Sequence, residues 1–581
     1  MSAGPTDHER ERAGHAVAGG AGVSAPGALL RAQALADGLA VRARSLTDRA
    51  VVATELTRLR ILPRSWIAPS APVPEDTTDD ARFLRRPALL GFLGLLMISV
   101  GASLPSSPFK LEMPGAWFFG MPRTTGANGV GLLFGLVAVY GGLVLFMRVW
   151  YRLAKTLAHR PGVPIKYLVV VLAIWIVPML IVPPLFSRDV YSYAAQGEMM
   201  SRHINPYVYG PFTLGGSPYV PPVDPLWLNT PAPYGPLFLI VDGLLASVSL
   251  HNMLATVVLL RIFAVVGVLL IAWAVPKLAR LHGRDPGAVF GLAVLNPLVL
   301  FALVASAHND AIMVGLLLCG LVLAKQGRPV LGVVVVALAA AIKIPAELGV
   351  IYIGWDWLGP GLSVRQRVRP VVTALLISAA VMVAFTIVSG LGFGWIGNLE
   401  TPGTVRSWLA PATGIGMVLS GMAHLVHIPI SQSAVLSVTR VTGLLGAAVA
   451  SVYLLLHSDR IGSLKAMGLS FLLFVALGPV VQPWYLSWGV IILALVATGR
   501  LRSLIVAICV LSPFIGLPGG RTLLDQLIHS NPLSVAAALL VLAVVLVVPL
   551  GRWTQAWRSA PPDQAGALLS GGAAVRRFAQ S

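Results

Sequence analysis

The residue types that could do chemistry gather first at Phe186-Ser187-Arg188-Asp189-Val190-Tyr191-Ser192-Tyr193. Asp189 follows an apolar run, Lys166 to Phe186, that is long enough to cross a bilayer, and it opens the longest polar connection in the hydrophobic part of the chain, Ser187 to about Tyr234. An aspartate at a helix centre in the membrane costs about 2.5–3.5 kcal/mol, and less near the interface, so ionisable residues at membrane depth are functional candidates by default. A helix end at the surface also accommodates a solvated Asp that has no further role. Scarcity sharpens the choice: of 23 acids, ten lie before Arg86, and three of the remaining thirteen (Asp189, Glu198 and Asp224) fall in this one connection.

Other polar groups fall on the same side of the membrane as Asp189. They are Arg188, Arg202, His203, Asn205, Tyr207 and Tyr234 in the connection, then Ala307-His308-Asn309-Asp310, Lys343, and Gln482-Pro483-Trp484-Tyr485 further along. Lys343 sits in an alanine-rich apolar segment and must either snorkel or find an anion. The Pro345 break beside it frees backbone groups that only protein or a wet cavity can satisfy. His308-Asn309-Asp310 could cap a helix or hydrogen-bond a sugar. These pieces suit displacement of a sugar from a polyprenyl phosphate. The phosphate leaves well without an acid, a cation such as Lys343 with Arg188 or Arg202 meets its growing charge, and Asp189 takes the proton of the acceptor hydroxyl. A single base implies one displacement, with inversion at the anomeric carbon.

The elements that must hold these groups are membrane helices. The chain has 581 residues, only 11% of them charged, and a mean hydropathy of +0.81, which is the composition of a polytopic integral membrane protein. Its net charge of +19 is dispersed at segment ends in the positive-inside pattern, so no nucleic-acid partner is expected. Cys319 and Cys509 read as packing residues. Residues 1–86 read as a largely disordered cytoplasmic tail with a short helical stretch at 28–61, residues 87–551 as the membrane domain, and residues 552–581 as a second cytoplasmic tail.

Spans are expected at about 87–104, 128–147 and 166–186. The acid-free link Arg148–Lys166 places their connection in the cytoplasm and the Asp189 loop outside. The same test makes 234–250 and 409–427 re-entrant or surface helices. About 13–14 crossings result, with both termini inside and an external loop and surface helix over 187–250.

The block Phe186 to Gly197, followed by Asn205-Pro206-Tyr207, Ala232-Pro233-Tyr234-Gly235-Pro236, Leu295-Asn296-Pro297, His308-Asn309, Ile342-Lys343 and Pro483-Trp484-Tyr485, resembles the actinobacterial α-1,6-mannosyltransferases that use polyprenyl-phosphate mannose. The resemblance covers roughly Pro87 to Leu550. It implies the C-type membrane glycosyltransferase fold, no cofactor and no bound metal. It also implies a lipid-linked mannose donor in the plasma membrane and a mannan or phosphatidylinositol-mannoside-type acceptor, in building the core of lipomannan and lipoarabinomannan. Asp189 holds the family's base position. Lys343, Arg188 and Arg202 stand for the donor phosphate. Tyr191, Glu198, Asn205, Tyr207, Tyr234, His308, Asn309, Asp310, Trp484 and Tyr485 stand for sugar or acceptor. A transporter or flippase of a lipid-linked sugar, or a transferase of another polyprenyl-phosphate sugar, is the competing expectation.

Overall fold

A computed structural model describes residues 77–104 and 129–515, and these are all-α, with no strand among the described residues. The expected tails over 1–76 and 552–581, and the last expected span at 533–550, lie outside the described residues. Among the described residues five helices are long and apolar enough to cross a membrane, or six if one bent pair is counted as a span, and five shorter apolar helices accompany them. The chain is a polytopic membrane protein.

The first three helices are α1 (Thr77–Ser103), α2 (Gly129–His159) and α3 (Ile165–Ile181). The helix of α2 does not stop at Met147 as expected. Arg148, Arg152 and Lys155 ride on its last turns, because nothing in that stretch breaks a helix and its basic groups reach out of the apolar part. Likewise α1 begins ten residues before Pro87 and runs through that proline.

The stretch expected to be an external loop starts as a helix, α4 (Asp189–Ser201), and ten of its thirteen residues are buried. It packs on the short apolar α5 (Pro236–Val248). The two helices touch where a Cβ at Gly197 would collide with the Asp242 backbone carbonyl, so only glycine permits the approach. At 13 residues α5 rises about 20 Å, short of the hydrocarbon thickness, in keeping with a surface or re-entrant helix.

Next come α6 (Met253–Leu281), α7 (Pro286–Ala293), α8 (Asp310–Lys325), α9 (Pro329–Ile342), α10 (Glu347–Asp356) and α11 (Val364–Ser389). They are followed by α12 (Pro411–Leu425), α13 (Gln432–Leu456), α14 (Ser463–Leu477), α15 (Leu486–Ala494) and α16 (Gly499–Ile515). Three apolar stretches are interrupted by helix breaks. One passes from α7 through a π-helical segment, Val299–Ala305, and turns by 113° into α8. A second stops at Ile342, leaves Lys343 extended (φ −153°, ψ 121°) and restarts as α10. The third runs from α14 through Gly478–Gln482 and the turn Pro483–Tyr485 into α15.

A helix break at membrane depth is tolerated only where protein satisfies the freed backbone groups. At the first break the buried Arg261 of α6 donates to the Ala305 carbonyl, and it also donates to the Leu180 and Val182 carbonyls at the end of α3, while Ser306 Oγ donates to Leu185 O just beyond α3. Asn296 accepts from Val299 N at 2.9 Å while its amide donates to Leu292 O and Ala293 O. The three breaks and the start of α4 meet in one place.

Candidate active site

At that meeting point lies a recess that is partly open to solvent. One wall is the face of α4 that carries Asp189, Ser192 and Gln196. The second is the segment from Trp227 to Tyr234, the third is Thr401–Val405, and the fourth is the break segment with Gln482, Trp484 and Tyr485.

Asp189 occupies the first position of α4, its backbone N–H donating to Ser187 Oγ at 3.2 Å. Its side chain is 16% exposed. The Trp227 indole N–H donates to Oδ1 at 3.2 Å, and His308 Nδ1 lies 3.9 Å from Oδ2. Burial raises the carboxyl pKa to about 6, partly offset by the positive charge of Lys343 and the Trp227 hydrogen bond. A carboxylate in that range is ionised near neutral pH yet basic enough to accept a proton, as a general base requires.

His308 follows Ala307, held at φ 55°, an uncommon conformation for a residue with a Cβ. The imidazole stacks on Trp484 with ring centres 3.8 Å apart, and its Nδ1 hydrogen-bonds the Tyr193 hydroxyl at 3.1 Å. Behind this layer, Lys343 Nζ is bound by both oxygens of Asp310, at 2.9 and 3.0 Å, and lies 4.8 Å from the Tyr485 ring centre. Asn309 Oδ1 is 3.4 Å from the ammonium, and the Trp488 indole donates to Asp310. Tyr234 is tied to this layer through Gly235, whose N–H donates to Ile342 O at 3.1 Å. A Cβ at Gly235 would collide with the Ala341 carbonyl.

The structure therefore brings Asp189, Tyr234, Trp484 and Tyr485 to the recess, His308 against Asp189, and Asn309, Asp310 and Lys343 into the buried layer behind. The other expected site residues lie elsewhere. Arg188 donates to the carbonyls of Pro221, Pro222 and Val223. Glu198, fully buried, binds Arg202 at 2.7 Å and His251 at 2.8 Å. Asn205 and Tyr207 brace the backbone: Asn205 donates to Leu391 O, and Tyr207 OH donates to Tyr234 O at 2.9 Å. Tyr191 is buried in the core.

The reason is helical period. At 100° per residue, Tyr191 and Glu198 lie about 160–180° around α4 from Asp189, while Ser192 and Gln196 share its face. Reading the stretch as a loop hid this. Trp227, Ser192 and Gln196 are the site residues that the sequence reading missed. The 189/192/196 spacing was the signal for two of them, and no local signal marked Trp227. Asp224 spends an oxygen capping its own turn, accepting from Leu226 N at 2.9 Å.

The family described as "Alpha-(1->6)-mannopyranosyltransferase, N-terminal domain" matches residues 88–359, and the "MptB C-terminal domain" matches residues 412–548. A Mycolicibacterium smegmatis protein named as a probable alpha-(1->6)-mannopyranosyltransferase is 32% identical, over 84% of this chain and 92% of its own. Alpha-(1->6)-mannopyranosyltransferase A of Mycobacterium tuberculosis is 31% identical over 71% of this chain and 81% of its own. Alpha-(1->6)-mannopyranosyltransferase B of Corynebacterium glutamicum is 29% identical over 75% and 77%. No solved structure matches the chain. With matching models over both halves of the membrane domain and relatives aligned over most of their length, this chain belongs to the actinobacterial α-(1→6)-mannosyltransferase family of glycosyltransferases.

Proposed function

We propose that the protein transfers mannose from polyprenyl-phosphate mannose to a growing α-1,6-mannan, of the lipomannan and lipoarabinomannan core type, at the outer face of the plasma membrane. The acceptor hydroxyl oxygen attacks the anomeric carbon while its proton passes to Asp189. The bond from that carbon to the phosphate oxygen breaks, and the lipid phosphate leaves with the electron pair. One displacement inverts the anomeric centre.

The observation that carries this reading is that, of the three acids between Ser187 and Tyr234, only Asp189 faces the recess. Glu198 is neutralised by its partners and Asp224 caps a turn. The outer-face assignment is supported by Asp189 and the basic end of α2 lying beyond opposite ends of α3, whose 17 residues rise about 25 Å, together with the positive-inside pattern.

For the departing phosphate the reading keeps Lys343. Lys343 must share its ammonium with Asp310, and Arg188 is engaged with the carbonyls of the connection. Trp484, Tyr485 and Tyr234 supply aromatic faces for sugar rings.

The test is to embed the purified protein in lipid nanodiscs with radiolabelled polyprenyl-phosphate mannose and a short α-1,6-mannoside. Extension of the mannoside by an α-1,6-linked mannose is expected. Transfer of another polyprenyl-linked sugar instead, or movement of the lipid across a bilayer without transfer, would replace this reading.

A further inference from the structure

Ser192 and Gln196 follow Asp189 by three and seven residues on α4, which puts all three on one helix face, and all three line the recess. Both residues are 4% exposed, yet Ser192 Oγ and Gln196 Oε1 have no hydrogen-bond partner among the described residues. Buried polar atoms in native proteins are nearly always paired. Two unpaired ones on the recess-lining face of a single helix, beside a carboxylate, are partners waiting for a ligand. A hydroxyl that donates and accepts, followed by an amide that does both, matches the hydroxyl array of a hexose ring. Thr230, Thr401 and Gln482 add polar side chains on the facing walls.

Building on the reading of Asp189 as the base, we propose that Ser192 and Gln196 form the subsite for the acceptor sugar and set its specificity. In an inverting displacement the acceptor oxygen and the leaving phosphate lie on opposite sides of the anomeric carbon. Groups sharing a helix face with the base therefore stand on the acceptor side. Along the helix axis Ser192 is about 4.5 Å and Gln196 about 10.5 Å beyond Asp189. Ser192 thus meets the ring whose hydroxyl is deprotonated, and Gln196 meets its far side or the preceding sugar.

The experiment measures KM separately for an α-1,6-mannoside acceptor and for polyprenyl-phosphate mannose, with Ser192→Ala and Gln196→Met in nanodiscs. Melting temperatures serve as the folding control. Each variant should raise the acceptor KM about 3- to 10-fold, the worth of one uncharged hydrogen bond, and leave the donor KM unchanged. Against a series of monodeoxy mannosides, one deoxy acceptor should be as poor for wild type as for the variant, with no further loss on combining the two. An increase confined to the donor KM, or no change in either, overturns the proposal.

Binding of a biotinylated mannoside to the Asp189→Asn protein, with and without Gln196→Met, separates the two layers of the argument. Weaker binding with Gln196→Met, alongside undiminished transfer by Asp189→Asn, would retain the subsite and reject the base. Equal binding alongside lost transfer by Asp189→Asn would do the reverse.

Discussion

The indole N–H of Trp227 donates to Asp189 Oδ1 at 3.2 Å across a separation of 38 residues, joining the start of α4 to the far end of the same connection. The bond holds one carboxylate oxygen in place and leaves the other toward His308 and the recess. A hydrogen bond to the charged form also favours that form, counteracting the burial that pushes the carboxyl upward.

Replacing Asp189 by Asn keeps the size of the side chain but removes the proton acceptor. Transfer should slow by at least about 100-fold, the low end for a general base, with donor-lipid binding and melting temperature little changed. Asp189→Glu should recover little, since a displacement of about 1 Å misplaces the carboxylate. Glu198→Gln and Asp224→Asn are assayed alongside, and each should retain most of the transfer rate. Loss in one of those with a normal Asp189→Asn would move the base to that residue.

The rate should depend on pH in a defined direction. With the carboxyl held near 6, the ionised base is lost as pH falls through about 6, so kcat/KM should drop on the acid side there. Stability has the opposite slope. A folded pKa above the unfolded value of 3.8 favours the folded state below 3.8, and this contribution disappears as pH rises from there through about 6. Trp227→Phe removes a hydrogen bond that lowers the pKa, and should move the acid limb of the rate profile upward. An unmoved limb would mean that another group sets it.

Removing one partner of the Lys343–Asp310 pair leaves the other charge buried. Lys343→Ala should cost about 3–5 kcal/mol of stability, read as a large drop in melting temperature. Pairing Lys343→Met with Asp310→Leu should restore much of it. If Lys343 also meets the donor phosphate, the restored double variant should still use lipid donor poorly. Normal donor KM in that variant would confine Lys343 to a structural role.

Orientation is checked with single cysteines, since Cys319 and Cys509 are both buried. Gly216 lies in open space on the connection after α4, and Thr156 is exposed near the end of α2. An impermeant maleimide applied to intact cells should label a cysteine at position 216 and not one at 156. The reverse pattern would put the recess on the cytoplasmic side.

Much of the architecture was legible because the membrane imposes a crude rule. Long apolar runs become helices, and the basic stretch of α2 and Asp189 end up beyond opposite ends of α3, since no water is available to satisfy an irregular backbone between them. The short α5 and the stop at Ile342 before Lys343-Ile344-Pro345 were visible for the same reason: one run was too short, the other was interrupted. The candidacy of Asp189 also followed from sequence, because a chain with so few acids in its membrane part rarely places one beside an apolar run without use.

What sequence could not give was which polar residues share a cavity. Local spacing says nothing about whether Trp227 reaches Asp189, or whether Lys343 finds Asp310 rather than a ligand, since both contacts close over more than 30 residues and depend on how broken helices are packed. The helical form of residues 189–201 was missed because its composition is polar enough to resemble a loop. Packing on α5 buries it, and that burial turned Glu198 and Tyr191 away from the recess and Ser192 and Gln196 into it. Residue types and their order determined that a membrane glycosyltransferase was present, with Asp189 as the candidate base. Only the tertiary structure decided its neighbours, because three helix breaks distant in sequence had to converge before any side chain could face another across the site.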